Sequence, residues 1–541
     1  MRSAVNSKIY VDKTGLLNVL NRAIDTEKRC FAVSRARRFG KSLSCGMIDA
    51  YYSRGADSKE LLMPFEIARS QDFEKYLNKF NVLHFDVATH FNAAKRHEDI
   101  IPRMDGALLQ EMLEEFPYLK EKKPESASHA MHLVYKEDLV KFIVIIDEYD
   151  CIIREAPEDD ALILQYLRYI RGFFKTEESK RFLALGYITG ILPIKKIKGE
   201  SALNNFSEYT MADSAELTTF FGFTQGEVDD LCEKYDEKSS LMREWYDGYY
   251  MYAADPDEKT EAGEEGTDGS VRIIGEKPLR LWHIYNPNSV TEMIGRGMYK
   301  SFWKNTGSFS SLQDLISLDY AGLKEDVKRM LIGERRKVNI DNFQNDLNQF
   351  KRKDDVIACL IHMGYLGYDA FRKEAFIPNR EVAEVFESAV ETGDWADLAD
   401  SLNNSRAFLQ AIWDKDEGKV AEMIAASHQD YASIINFHDE NSLAAAIMMS
   451  AYAARADYRV IREFPSGRGF ADIAFIPKRE GAHPAMIIEL KWNRSAKAAL
   501  KQIKDKEYAG ALARYHGTVL LIGINYTKKS NKYTCKISQM G

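Results

Sequence analysis

The stretch Ser34-Arg35-Ala36-Arg37-Arg38-Phe39-Gly40-Lys41-Ser42-Leu43 decides how the first part of the chain folds. Before it, Cys30-Phe31-Ala32-Val33 has the apolar run of a short buried strand, and after it Leu43 to Tyr52 has a helical pattern. A strand, a turn closing in Gly-Lys-Ser and a helix together form a phosphate cradle. Backbone N–H groups and the helix N-terminus face the anion, the lysine neutralises it, and the serine hydroxyl reaches Mg²⁺. One position departs from the pattern G-x-x-x-x-G-K-[ST]: Arg35 stands where the first glycine belongs, and Arg37 and Arg38 add two further cations. These arginines read either as phosphate neutralisation or an arginine finger, or as a solvated basic turn or structural ion pair.

Working outward, Lys141-Phe142-Ile143-Val144-Ile145-Ile146-Asp147 is a mostly β-branched apolar run, the signature of a strand buried on both faces. It ends in Asp147-Glu148. Charge at the end of a buried strand belongs beside a cation or water. Asp147 is suited to hold Mg²⁺, and Glu148 to orient or deprotonate an attacking water. Strands are also expected at Asn81–Asp86 and at Phe182–Ile188, the latter leading to Thr189, a candidate sensor of a terminal phosphate. Helices are expected near Leu16–Ala23, Ile101–Glu115 and Ala161–Phe174, with a polar loop over Glu121–Ser128. Strands alternating with helices imply a parallel α/β sheet. Phe221 to Glu227 reads as a capped helix start, 254–270 as a mobile acidic loop, and 356–378 as a helix followed by a β-wing that braces rather than binds nucleic acid.

At 541 residues the chain exceeds one core. The boundaries divide it into residues 1–220, 221–400 and 401–541. Six scattered cysteines show neither C-x-x-C nor zinc spacing, which fits reduced thiols and a cytoplasmic setting. No stretch reaches about 18 consecutive apolar residues, and no signal-peptide core is evident, so no membrane partner is expected. The net charge of −8 hides an asymmetry: from Arg455 onward there are 17 Lys/Arg against 7 Asp/Glu. A basic segment on an acidic protein points to a polyanion.

That basic segment reads as strands Tyr458–Phe464, Phe470–Ile476 and Ala485–Trp492, helix Ser495–Ala513, and two further strands. In Ile488-Glu489-Leu490-Lys491 the period of two puts Glu489 and Lys491 on one face. Asp472 lies on the preceding strand, and the hairpin can bring it beside Glu489. Two carboxylates and a carbonyl make a hard oxygen site suited to Mg²⁺, with Lys491 stabilising developing charge. Gln502 on the following helix is placed to join them, and Glu440 is a further candidate ligand. Glu-x-Lys alone is common; its combination with Asp472, the hairpin and Gln502 is what indicates a metal-dependent nuclease.

The boxes Val11-Asp12-Lys13-Thr14, Arg37-Arg38-Phe39-Gly40-Lys41-Ser42, Ile146-Asp147-Glu148-Tyr149-Asp150, Leu203-Asn204-Asn205, Trp245-Tyr246-Asp247-Gly248-Tyr249 and Tyr285-Asn286-Pro287 resemble those of bacterial AAA-ATPase-like proteins. Such proteins usually carry a C-terminal PD-(D/E)XK nuclease domain. The resemblance implies three parts: a P-loop NTPase sheet, a helical lid with a winged-helix-like module, and a restriction-endonuclease-like α/β domain. It implies that arginine at position 35 is normal, and that Ala36, replacing a usual proline, loosens the turn. It also implies ATP and Mg²⁺ as cofactors and nucleic acid, DNA before RNA, as substrate. Asp472, Glu489, Lys491 and Gln502 match its nuclease motif. Homo-oligomerisation is left open. The alternative is a nucleotide-switched protein that binds nucleic acid without cutting it.

Overall fold

Five strands form the N-terminal sheet: β1 (Cys30–Ser34), β2 (Asn81–Asp86), β3 (Phe142–Asp147), β4 (Leu183–Gly190) and β5 (Ser207–Tyr209). All pairs are parallel, in the order β2-β3-β4-β1-β5. Phe142, Val144 and Ile146 enter the core on one face of the sheet, and Ile143 and Ile145 enter the core on the other. Double burial is why the run before Asp147 carries no polar residue. The helix Lys41–Tyr52 follows β1 and adds Cys45, Ile48 and Tyr52 to the second core. The acidic strand β3 is not the neighbour of the loop strand β1; β4 runs between them.

The computed structural model describes residues 1–194, 203–254, 271–274, 277–303, 308–318, 320, 322–331, 333–341, 343, 350–392, 396–431, 443–444, 447–448, 450–451, 454–466, 469–478, 483–506 and 517–540. The expected loop over 254–270, Glu440 and the end of the Ser495–Ala513 helix therefore fall wholly or largely outside the described residues. Two compact units emerge, Met1–Lys324 with Gly333–Phe386, and Glu325–Ile332 with Glu387–Gly541. The stretch expected as a loop over Glu121–Ser128 instead ends one helical turn, Leu119–Lys122, and begins the helix Ala127–Asp138, capped by the Ser126 hydroxyl.

The lid region of the first unit holds helices Gln225–Tyr235, Ser239–Tyr246 and Pro287–Arg296. Thr224 and Glu227 close the first of these with a reciprocal capping box. The region also carries antiparallel strands β6 (Phe223–Thr224), β7 (Tyr249–Ala253), β8 (Val271–Ile274) and β9 (Lys277–Tyr285), which the helical expectation did not contain. Lys13 bridges to this region, pairing with Glu227 at 2.6 Å and donating to the Thr219 carbonyl at 2.7 Å. A wing follows, built from β10 (Arg336–Lys337), β11 (Gly367–Asp369) and β12 (Glu374–Phe376). The adjoining helix Lys353–Met363 is buried from Asp355 through His362. A helix buried along this length offers no open face to a nucleic-acid groove.

The lid and wing grip the outside of the Gly-Lys-Ser loop. Tyr249 meets the Phe39 ring edge-on with centroids 5.2 Å apart, and its hydroxyl donates to the Gly364 carbonyl at 2.7 Å. Asn286 donates to the Arg37 carbonyl at 3.3 Å, and the Gly222 N–H donates to the Phe39 carbonyl at 3.2 Å. Ala36 is fully buried against Gly364. The alanine that replaces the usual proline is thus packed directly against the wing. The Trp-Tyr-Asp-Gly-Tyr and Tyr-Asn-Pro boxes are the struts of this grip.

The second unit is built on β13 (Tyr458–Ser466), β14 (Gly469–Pro477), β15 (Ala485–Trp492), β16 (Val519–Thr527) and β17 (Lys532–Gln539), paired in sequence order. Only β15 and β16 are parallel, and the helix Ala496–Asp505 lies in the connection between them. Helices Ala396–Trp413 and Glu417–Tyr431 cover one face through Phe408, Ile412, Val420 and Ile424. Ile503 of the connecting helix covers the other, against Ile487 and Leu521.

Two outcomes follow for the loop grip. Gly364 has φ +85° and no room for a Cβ beside Ala36, so Gly364→Ala is expected to destabilise the first unit by about 2–4 kcal/mol, read by denaturant unfolding. Glu381 accepts from the Phe302 N–H at 2.7 Å, and burial pushes its carboxyl up to about 7. An acid with a raised folded pKa favours the fold while protonated. Its contribution is complete below its ordinary value and is lost as pH rises toward about 7. Glu381→Gln should remove that part of the pH dependence of the melting temperature.

Candidate functional site

The N-terminal site sits at the carboxyl ends of the parallel strands, where open α/β sheets bind ligands. A cavity of about 1020 Å³ opens there, lined by Arg37, Arg38, Gly40, Lys41, Ser42 and Glu148 from the sheet side. Ile9 to Val11 form one wall, and Asn288, Thr291 and Glu292 of the lid helix form another. Gly40 adopts φ +94° at the head of the helix Lys41–Tyr52, a conformation that turns the chain into the helix. Lys41 is buried and donates to the Arg35 and Ala36 carbonyls, each at 3.0 Å. Burial lowers the pKa of its ammonium, and Glu148, Asp150 and Asp147 oppose that shift.

The three arginines separate. Arg37 and Arg38 face the cavity, and Phe39 lies in its lining. Arg35 does not: it is fully buried, with its guanidinium 5.4 Å from the Phe221 ring and one nitrogen donating to the Ser34 carbonyl at 3.0 Å. Burial brings its pKa down to about 10. Neither a phosphate contact nor a solvated turn describes it; the side chain is packed as part of the loop's foundation.

Asp147 is buried and accepts from the Glu148 N–H at 2.9 Å and from the Thr189 hydroxyl. Thr189, at the end of β4, thus touches the acid of β3 across one strand boundary. Glu148 reaches the cavity, whereas Asp147 and Thr189 stand outside its lining. The Glu148 backbone is left-handed at φ +50°, and its carboxylate pairs with Arg154 at 2.6 Å. Arg154 also holds the fully buried Asp150 at 3.0 Å, and Asp150 accepts from the Ile191 and Leu192 N–H groups. Burial and Asp150 raise the Glu148 pKa, which suits a base that must accept a proton. Sequence reading missed Arg154, although its i, i+4 spacing from Asp150 on a helix start carried the signal.

In the second unit the pairing of β14 with β15 runs through Ile473 opposite Ile488, so Asp472 and Glu489 come next in register. Asp472 accepts from the Leu490 N–H at 2.6 Å. Glu489 is only 2% exposed; one of its oxygens accepts from Lys491 at 2.9 Å and from Gln502. Lys491 also donates to the Leu490 carbonyl at 2.8 Å. Burial, then Asp472, raises the Glu489 pKa. The second oxygen of Glu489 is buried with no hydrogen-bond partner among the described residues. A buried carboxylate oxygen left in this way, beside a second carboxylate, fits a hard divalent cation such as Mg²⁺. No group of three or more His, Cys, Asp or Glu that could hold a metal occurs among the described residues, and the proposed third acid, Glu440, lies outside them.

Residues 4–198 match the family model described as predicted AAA-ATPase, and residues 439–535 match the PD-(D/E)XK nuclease superfamily. The chain joins an AAA-ATPase-like N-terminal region to a PD-(D/E)XK nuclease superfamily domain. No curated protein and no solved structure matches it. The first match implies nucleotide binding and the second, coarsely, a nucleic-acid substrate. Among the described residues no helix is long and apolar enough to cross a membrane. The lid boxes, beyond the matched residues 4–198, support the loop from outside, and Asp147 and Glu148 stand at the end of β3. In the nuclease superfamily domain the four expected residues Asp472, Glu489, Lys491 and Gln502 converge.

The Arg154 triad gives a stability test. Arg154→Ala leaves the fully buried Asp150 without its cation and should destabilise the region by about 3 kcal/mol or more. Glu148→Gln, at a side chain 27% exposed, should change stability far less. Chemical denaturation of both variants measures the difference.

Proposed function

We propose that the chain binds and hydrolyses ATP at the loop cavity and cleaves nucleic acid, DNA before RNA, at the Asp472–Glu489 site. The observation that carries the reading is the buried Glu489 oxygen that has no hydrogen-bond partner among the described residues, flanked by Asp472, Lys491 and Gln502. In the first unit Lys41 and the loop N–H groups neutralise and orient the phosphates, with Arg37 and Arg38 adding charge. Glu148 orients and deprotonates the attacking water, and Thr189 senses the terminal phosphate through Asp147. Ser42 and Asp147 would hold Mg²⁺ there.

In the second unit Asp472, Glu489 and the Leu490 carbonyl would hold Mg²⁺. When bound, the ion polarises the scissile phosphate and lowers the pKa of a bound water. Lys491 stands between Glu489 and the carbonyl, where its ammonium stabilises charge developing on the phosphate. Gln502 fixes the Glu489 carboxylate in one orientation. Nucleotide state controls cleavage, and six buried free thiols fit a reducing cytoplasm.

Plasmid DNA and single-stranded RNA, each incubated with and without Mg²⁺ and ATP, test the reading. Asp472→Ala should abolish cleavage, and Lys491→Ala should slow it by roughly 10²–10³-fold. Lys41→Ala should lose binding of a fluorescent ATP analogue and remove the ATP dependence of cleavage. Cleavage that survives Asp472→Ala would sink the site. Retained nucleic-acid binding with no cleavage under any condition would favour the nucleotide-switched binding protein instead.

A further inference from the structure

The strand that carries Asp472 also carries an aromatic ring in an unusual place. Most apolar side chains of β14 are buried, but Phe470, two residues before Asp472, is 64% exposed. Its backbone is not a loose loop. β13 pairs with β14 at Pro465 opposite Phe470 and at Phe464 opposite Ala471, so the ring rises from a hydrogen-bonded ladder. Asp472 and Glu489 directly follow the last paired residues of β14 and β15, Ile473 and Ile488, and Phe470 lies two residues beyond Asp472 on the same face of its strand. At about 3.3 Å per residue the ring's Cα lies roughly 7 Å along the strand from that of Asp472.

Cations collect at the same end of the sheet. The Lys528 N–H donates to the Asn493 side chain at 2.8 Å, which sets the turn bearing Lys528 and Lys529 beside the end of β15. Both lysines are exposed. An exposed ring on a rigid strand, next to carboxylates suited to a metal and to lysines suited to phosphates, has the parts of a single-strand platform. There the backbone is held by charge and a base stacks on the aromatic face.

We infer that Phe470 stacks on a nucleobase adjoining the scissile phosphate, so that the preferred substrate presents an unpaired base at the cut. The inference rests on the nuclease reading above and specifies its substrate. In an intact duplex each base is already covered by its neighbours, whereas a single strand or a frayed end offers an open face. Stacking of this kind tolerates any base, which makes the preference one of strandedness rather than sequence.

The test uses the full chain in EDTA, where binding is read without cleavage, by fluorescence anisotropy. The probes are a fluorescein-labelled single-stranded oligodeoxynucleotide and its blunt duplex. Phe470→Ala should weaken single-strand binding by roughly tenfold and leave duplex binding nearly unchanged. Phe470→Trp should restore single-strand affinity, an outcome that a change in folding would not produce. Equal single-strand affinities for Phe470→Ala and the wild type would overturn the inference while the nuclease reading stands. A Phe470→Ala variant that loses self-association on size exclusion, with DNA binding intact, would assign the ring to a protein contact and overturn it as well. A wild-type chain that binds neither probe, and cuts neither once Mg²⁺ is added, would take down the nuclease reading and the inference together.

Discussion

The need to give each buried charge a partner organises both sites. Lys41 is an ammonium sealed into the protein, and its hydrogen bonds go to the Arg35 and Ala36 carbonyls of its own loop. Those bonds tie the start of the helix back to the beginning of its own loop. The acids of β3 and the residues just after it lie close enough to oppose the desolvation of the ammonium. Glu148 and Asp150 are held in turn by Arg154. Each group in this chain of charges is affordable only because the next one is present. The same constraint acts in the second unit, where Lys491 and Gln502 share one oxygen of Glu489 and the other has no partner among the described residues.

The strands were legible because burial leaves a simple trace. The uninterrupted apolar run of β3 and the runs at β14 and β15 follow from the cores on either side of their sheets. Pairing order leaves no such trace. Nothing local in Leu183–Gly190 says that this strand separates β1 from β3, yet that placement is what brings Thr189 onto Asp147. The strands of the lid escaped for another reason: Tyr249–Ala253 and Lys277–Tyr285 are rich in aromatic and mixed residues whose alternation is weak.

At the sites, residue type and spacing sufficed where chemistry demands a particular side chain. Lys41 and Glu148 line one cavity, and Asp472, Glu489, Lys491 and Gln502 meet in one hydrogen-bonded cluster. Orientation was less accessible. Arg35 reads from sequence as a cation for phosphate or solvent, and only the packing against Phe221 reveals a buried side chain. The exposure of Phe470, at the start of a strand expected from sequence, leaves no trace in the pattern, because a sequence pattern predicts which residues prefer burial and not which are denied it. Arg154 is hard to find from sequence because one of its partners, Glu148, already reads as a group for the attacking water.

The contact between Ala36 and Gly364 has a mechanical meaning. A loop that closes on phosphate by moving its own backbone is free to do so when its outer surface meets solvent. Here that surface meets a glycine of the wing, a tyrosine of β7 and an asparagine that caps a lid helix. Interfaces packed this closely do not compress; they shift as blocks. A displacement of the loop therefore has to move the lid and wing groups packed on it. The stiffness of that linkage, rather than the affinity of the loop alone, fixes how far a change at the phosphates travels through the first unit.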